Sequence, residues 1–469
     1  MRFSMAVTAD RLLPASLADR LRPIFDKVDA ALFAADERGK AGRMSAIAFA
    51  VRVVSAVIAF VSQVLMARWM GVFEYGIFVL VWATAIIVGN IACLGSHTSI
   101  IRYVPEYLGR DLLAELRGIL LASRVFTVLS STLVAGAGYL LITALGDRVE
   151  AYYVAPFVLG VVLIPMIALS DLLQGLARAN SWAMTALAPT YLVRPVLILA
   201  GMDVAVAIGY EPTARTALVA GIIATYATTI AQWIGVTSFA DRKVPPGPRA
   251  YRFAEWARVS FPIFLVESFF FLLTNADVLM VGRFMQPGDV AVYFATVKTL
   301  ALIHFVYFAV KAGVAQRYAG IAHTGDRERL RAFARETVTW TFWPSLVMAL
   351  VVLALGPFML SLFGPGFAEG YWLLFPLSAG VVARASIGPA ESLLTMSGNE
   401  AACAKVYAAT LAVNIALSFA LIPLFGLWGA AIATSTSMVF EAIALGLTVW
   451  NKLGIAMTIL PLHDKPGTR

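Results

Sequence analysis

Two cysteines in 469 residues, Cys93 and Cys403, exclude a disulfide framework; with four scattered histidines (His97, His304, His323, His463) they also leave no zinc-ligand spacing. There is no P-loop, no GxSxG elbow and no GxGxxG following a strand, so direct nucleotide use and serine-hydrolase chemistry have no motif to rest on. The chain is expected to carry no catalytic site, no metal and no cofactor. Charge is scarce too. Charged residues make up 14% and hydrophobic ones 60%, with a mean hydropathy of +0.82. A soluble domain is nearer a quarter charged and half apolar.

What the chain has in abundance is long apolar runs, recurring at about the 20 residues needed to cross a bilayer as helix. Twelve candidate spans fall between 45–67 at one end and 427–450 at the other, so the expected fold is an all-α polytopic membrane protein. Prolines inside them (Pro165, Pro195, Pro262, Pro344, Pro389) are tolerable where neighbouring helices rescue the backbone. Lys and Arg set the orientation. With both termini in the cytoplasm, 27 of the 36 basic residues lie inside and only Arg68, Arg148, Arg215 and Arg283 fall in outer loops. The net charge of +8 therefore describes loops facing anionic lipid and not a nucleic-acid surface. Residues 1–43 are too interrupted by charge for a signal peptide. Leu13, Leu17, Leu21, Phe25, Val28 and Leu32 are spaced for an amphipathic helix on the inner leaflet, while Pro14 and Pro23 suit a loosely ordered cytoplasmic tail.

The chain also repeats itself. Arg68-Trp69-Met70 and Glu74-Tyr75-Gly76-Ile77-Phe78 return 215 positions later as Arg283-Phe284-Met285 and Asp289-Val290-Ala291-Val292-Tyr293. Arg102-Tyr103 returns as Arg317-Tyr318, and Asp111 as Asp326. Later in each half the offset drifts to about 220, aligning Asp171 with Glu391 and Arg194 with Asn414. Six spans per half is an even number, so the halves are parallel repeats that rock about a central cavity. The expected organisation is a basic extension (1–43), a six-helix bundle (44–240), a cytoplasmic linker rich in proline (241–257), a second six-helix bundle (258–450) and a cytoplasmic tail (451–469).

Several stretches match something known. Ala67-Arg68-Trp69-Met70-Gly71 with Tyr75-Gly76-Ile77-Phe78 resembles the first outer loop of the polysaccharide-type flippases of the multidrug/oligosaccharidyl-lipid/polysaccharide exporter superfamily. Ile101-Arg102-Tyr103-Val104-Pro105-Glu106-Tyr107 resembles their first long cytoplasmic loop, and Asp277-Val278-Leu279-Met280-Val281-Gly282 the end of their seventh helix. Asn414 with the run from Leu421 to Thr434 resembles their eleventh-to-twelfth helix junction. The likeness spans about residues 43–450. It implies flipping of an undecaprenyl-pyrophosphate-linked oligosaccharide from the cytoplasmic to the periplasmic leaflet of a bacterial inner membrane. A lipid-linked anionic oligosaccharide, membrane lipid, a coupling cation (H+ or Na+) and a polysaccharide polymerase with other assembly proteins are the implied partners. The family's lipid II flippases usually carry two further C-terminal spans, which favours the O-antigen or exopolysaccharide branch.

Charges within spans are the candidate site. Arg52, Arg124, Arg194, Lys298 and Arg384 face Glu267 and, nearer span ends, Asp171, Asp277 and Glu391. An ionised group at mid-membrane costs roughly 2.5–3.5 kcal/mol, on the order of 15 kcal/mol for five. At about 1.5 Å per residue, Arg52 and Arg124 lie about 10 Å from the cytoplasmic end, and Arg194, Lys298 and Arg384 roughly 16–20 Å deep. The five are expected to line an inward-facing cavity suited to an anionic head group. Plainer readings stand beside this one. Arg52 and Arg124 are shallow enough to snorkel; Lys298 is placed to pair with Glu267; Asp277 suits a helix end as well as an ion; Glu267, Asn414 and Glu391 suit a polar helix contact as well as ion coupling. A multidrug exporter of the same superfamily, a glycan polymerase or ligase, and a non-transport assembly scaffold are the rival functions. Short outer loops speak against the polymerase.

Overall fold

The computed structural model describes residues 37–324 and 326–459. Side chains are described from residue 54 onward, apart from those at 147, 239–243, 266, 270, 312, 315, 316, 319 and 322–324. The expected extension and tail thus lie mostly outside the described residues. Fifteen α-helices follow in order: α1 Glu37–Ala92, α2 Ser96–Gly109, α3 Leu113–Leu145, α4 Ala151–Ala179, α5 Ala183–Ala188, α6 Arg194–Ala207, α7 Ala214–Lys243, α8 Phe253–Leu273, α9 Ala276–Phe284, α10 Pro287–Thr324, α11 Arg327–Ser361, α12 Leu374–Ala385, α13 Ala390–Met396, α14 Glu400–Phe425 and α15 Leu427–Leu453. No strand occurs among the described residues.

Among the described residues, eleven stretches are long and apolar enough to cross a membrane, and the first of them, Val54–Ala92, is two crossings in one. Gly71 breaks it with φ 72° and ψ 173°, a conformation that glycine adopts without penalty. The Tyr75 hydroxyl then donates to Gln63 Oε1 at 2.8 Å. Twelve residues of straight helix would separate the two by about 18 Å. The chain therefore turns back on itself at Gly71, and twelve crossings result, as expected. Breaks within crossings also have local causes. Asn275 interrupts the α8–α9 crossing, and its side chain caps the Phe271 carbonyl at 2.9 Å. Gly388 (φ 57°) and Pro389 separate α12 from α13. Pro189 supplies no N–H for the Thr185 carbonyl, which accepts from Gln232 Nε2 at 3.0 Å instead, and the chain there relaxes into one π turn, Pro189–Val193.

The bundle has two ends. One carries the turns at Gly71, Gly146, Gly209, Gly364 and Gly426 and is called the Gly71 face; the other carries the 244–252 linker and is called the linker face. At the Gly71 face the halves are shut against each other. Arg68 Nε donates to the Leu362 carbonyl at 2.5 Å, capping the end of α11 from the opposite half. Tyr75 meets Phe294 and Phe367 edge-on, and Phe60 meets Phe363. This junction is the centre of the largest apolar core. Outward, Leu133, Leu140, Ile223 and Leu424 are exposed, an apolar coat that suits lipid.

Gly76 sits where this closure is tightest: a Cβ there would lie 1.7 Å from the Pro287 backbone oxygen. Gly76→Ala should cost about 1–3 kcal/mol by overpacking. Gly109→Ala, which meets only open space, should unfold like wild type apart from the usual small helix gain. Thermal unfolding in detergent distinguishes the two.

Candidate functional site

A cleft between α1 and α10 is the candidate site. The two helices pack together, and near the Gly71 face they are sealed: residues 75–81 and 290–296 are all buried. Toward the linker face both lose their cover. Nothing from 54 to 61 is buried, and on α10 Lys298, Ala301, Leu302, Phe308 and Ala309 form one exposed stripe at helical spacing. We read these uncovered stretches as a wedge between the two helices that opens at the linker face. Lys298 is the first exposed residue past the sealed run, at the wedge's apex. Its Nζ stands 4.7 Å over the Phe294 ring. Lipid on that stripe would leave its charge in hydrocarbon; a wet cleft does not.

The expected Lys298–Glu267 pair is not formed. Glu267 accepts from Thr98 Oγ1 at 2.7 Å and lies 3.1 Å from His97 Nε2, both on α2 of the other half. This contact continues along one edge of the linker face. Ser260 Oγ donates to Ser99 Oγ at 2.9 Å, Trp256 Nε1 to Tyr107 at 2.8 Å, and Arg252 pairs with Glu115 at 2.7 Å. Hydrogen bonds to Glu115 and then Glu255 hold the Arg252 guanidinium still more firmly protonated than usual. Arg117 donates to the carbonyls of Pro245 and Pro248, binding the linker to the start of α3.

Two of the other expected cavity cations, Arg194 and Arg384, do not reach the cleft. Arg194, 6% exposed, is enclosed within the first half among hydroxyls: Nη2 donates to Ser170 Oγ at 2.9 Å and Nε to Thr228 Oγ1 at 3.5 Å. Arg384, 8% exposed, belongs to a buried network of the second half. Its Nε is 2.9 Å from Glu441 Oε1 and its guanidinium lies 4.7 Å over the Tyr307 ring. The Tyr307 hydroxyl donates to Glu391, whose Oε1 is also 3.0 Å from Lys311 Nζ. Two cations and two carboxylates cancel there. Arg124 is half-buried on α3. The side chain of Arg52 lies outside the described residues.

A third polar cluster joins α9, α10 and α15. Asp277 is buried; its Oδ1 accepts from Val278 N at 2.9 Å, and its Oδ2 from the Tyr293 hydroxyl at 3.2 Å. Tyr293 also meets Thr434 Oγ1 at 3.1 Å. Asn414 is buried on α14, which packs on α9 and α15, and its Oδ1 has no hydrogen-bond partner.

Sequence reasoning overlooked Glu441, Lys311, Tyr307, His97, Tyr293 and Thr434. Glu441 was findable, as a lone acid inside the last apolar run. His97 and Lys311 sit where span and loop are indistinguishable by hydropathy, and hydroxyls carry no signal in a composition count.

Residues 42–315 match the family model described as polysaccharide biosynthesis protein, and residues 262–369 match the model described as MatE. No curated protein sequence matches the chain. Among solved structures, an inward-facing multidrug resistance MATE family transporter of the MOP superfamily is similar at TM-score 0.64 and 14% identity, over 86% of this chain and 94% of that one. The lipid II flippase MurJ in an inward closed conformation is similar at TM-score 0.64 and 16% identity, over 86% and 87%. A MOP superfamily transporter from Pyrococcus furiosus, noted for a binding pocket of reversed polarity, is similar at TM-score 0.63 and 15% identity, over 87% and 95%.

Because Arg384 and Glu441 neutralise each other while buried, removing one strands the other, at about 3–5 kcal/mol. Arg384→Gln should therefore lower the amount of folded protein, and Arg384→Gln/Glu441→Gln should recover most of it. Fluorescence size-exclusion chromatography of the membrane extract measures both.

Proposed function

Since the chain belongs to the family of polysaccharide biosynthesis proteins, a membrane transporter family by its fold, we propose that it flips an undecaprenyl-pyrophosphate-linked oligosaccharide across the inner membrane by alternating access. The observation that carries the reading is Lys298, a deep cation at the apex of a wedge between the two halves. Arg102, Arg110, Arg117, Arg249, Arg252, Arg258 and Arg317 crowd the linker face, against Arg68, Arg148, Arg215 and Arg283 at the other. The positive-inside rule then makes the linker face cytoplasmic. The wedge opens to the leaflet where a nascent lipid-linked glycan is expected, and the polyprenyl tail stays in the bilayer between the halves.

The cargo's pyrophosphate carries about two negative charges. Moving both fully outward through a cytoplasm-negative potential releases about 4.6 kcal/mol per 100 mV. An inward coupling cation, H+ or Na+, adds to this drive. Asp277 and Asn414 are the residues we assign to it, since Asn414 Oδ1 is buried without a partner. Arg52 and Arg124, nearer the cytoplasm, serve as outer members of the same cationic path, whereas Arg194 and Arg384 shape the two halves from within. Glu391 holds Lys311 and Tyr307 in place. A polysaccharide polymerase would take the delivered unit on the far side.

A multidrug exporter is the reading favoured by the MatE match over 262–369. A cationic drug would meet Lys298 as a like charge, which disfavours it.

Lys298→Gln keeps size and polarity and removes only the charge. It should abolish surface glycan, leave lipid-linked units on the cytoplasmic leaflet, and leave the amount of protein in the membrane unchanged. Normal glycan display by this variant would overturn the reading.

A further inference from the structure

We infer that His97 and Glu267 form a proton-binding latch between the two halves, protonated while the α2–α8 edge of the linker face is held closed, as it is here beside the α1–α10 wedge, and released when that proton leaves. The inference rests on the alternating-access reading above and deepens it by naming a proton as a ligand and placing its site.

The pair spans the halves, with Nε2 and Oε2 3.1 Å apart. It is partly sheltered: His97 is 17% and Glu267 36% exposed. Glu267 has its other oxygen on Thr98. The contact is an ion pair by distance, and both the imidazole Nδ1 and Glu267 Oε2 are buried without a hydrogen-bond partner. No acceptor therefore pins one neutral tautomer. With the proton on, both ring nitrogens are donors and Nε2 makes a charge-assisted bond to the carboxylate. With it off, the ring either keeps a weaker neutral bond or turns a lone pair toward Oε2.

The remaining contacts on this edge do not change charge near neutrality. Ser260 with Ser99, Trp256 with Tyr107 and the Tyr103 hydroxyl on the Glu255 carbonyl are neutral. Arg252 with Glu115 stays ionised. Only the histidine of this edge titrates between about pH 5 and 8. The charges that act on the ring are Asp171 and Arg178 of α4 and Glu267 of α8, and Arg178 acts on Glu267 as well. Asp171 is held by Asn90 Nδ2 at 3.2 Å and Arg178 by Gln174. From α3 comes a hydroxyl, Thr127, bonded to Ser96 at 3.0 Å.

Closure takes up a proton and opening releases it at the linker face. With that face cytoplasmic, a proton that reaches the pair from the Gly71 side while this edge is closed moves inward as cargo goes outward, beside the cation assigned to Asp277 and Asn414.

Spin labels at Gly109→Cys and Lys405→Cys, in a Cys93→Ala/Cys403→Ala background reconstituted in liposomes, report the separation of the halves at the linker face. Raising the pH from about 5 to 8 should increase the open-to-closed ratio about fivefold, the difference between a charge-assisted and a neutral hydrogen bond. His97→Gln should flatten the response, and Glu267→Gln should leave the face open throughout; should one variant not fold, the other decides. A wild-type distance that ignores pH, or a full pH response in either variant, would overturn the latch. No glycan enters this measurement. Lost export with an intact pH response would bear on cargo alone, and a flat response with normal export on the latch alone.

Discussion

An ionised side chain in hydrocarbon must find a counter-charge, a set of hydroxyls or water, because left bare it costs several kcal/mol. Each of these solutions occurs in this protein, and each has a different consequence. Arg384 takes a counter-charge, Glu441, and becomes part of the frame of the second half. Arg194 takes hydroxyls from Ser170 and Thr228 and ties α6 to α4 and α7 in the first half. Lys298 feels the charge of Asp277, and the proposed function places it at a wet cleft. The opening between α1 and α10 is the physical counterpart of that one exposed ammonium.

Duplication supplies the frame on which these solutions are distributed. Tyr103 and Tyr318, 215 positions apart, are both buried, so the repeat is preserved where it packs. It is abandoned where it works. Arg68 reaches across the halves to cap α11, whereas its repeat mate Arg283 rests over Phe284. Glu267 occupies the repeat position of Arg52 and joins the halves through His97. Under the proposed alternating access, two equivalent bundles would rock, and unequal side chains at equivalent places would give that motion a direction.

Most of the fold was legible in the sequence, because twelve apolar runs and the charge of their loops are statements about solvent, and lipid enforces them. The turn at Gly71 could be placed from Arg68-Trp69-Met70-Gly71 and its echo. Site geometry was less legible. Depth along a helix follows from counting residues, and it put Lys298 and Arg384 on one level; azimuth around the bundle does not, and azimuth sends Lys298 to the cleft and Arg384 into the wall. Pairing is similarly hidden. Glu267 and Lys298 stand at similar depth, yet Glu267 is taken by His97 and Thr98 on a helix 169 residues away in sequence. The break at Asn275 and the π turn before Arg194 rotate side chains in ways that a count of 3.6 residues per turn misses.

The central claim is that a water-filled wedge opens at the linker face with Lys298 at its apex. The most direct measurement is labelling by a membrane-impermeant thiol reagent of single cysteines placed at 294, 298, 301 and 308 in a chain without Cys93 and Cys403, with reagent applied to one membrane side at a time. Cysteines at 298, 301 and 308 should react from the linker-face side, and the one at 294 should be protected. Reaction of 298 from the Gly71 side alone, or no reaction along the whole stripe, would contradict it.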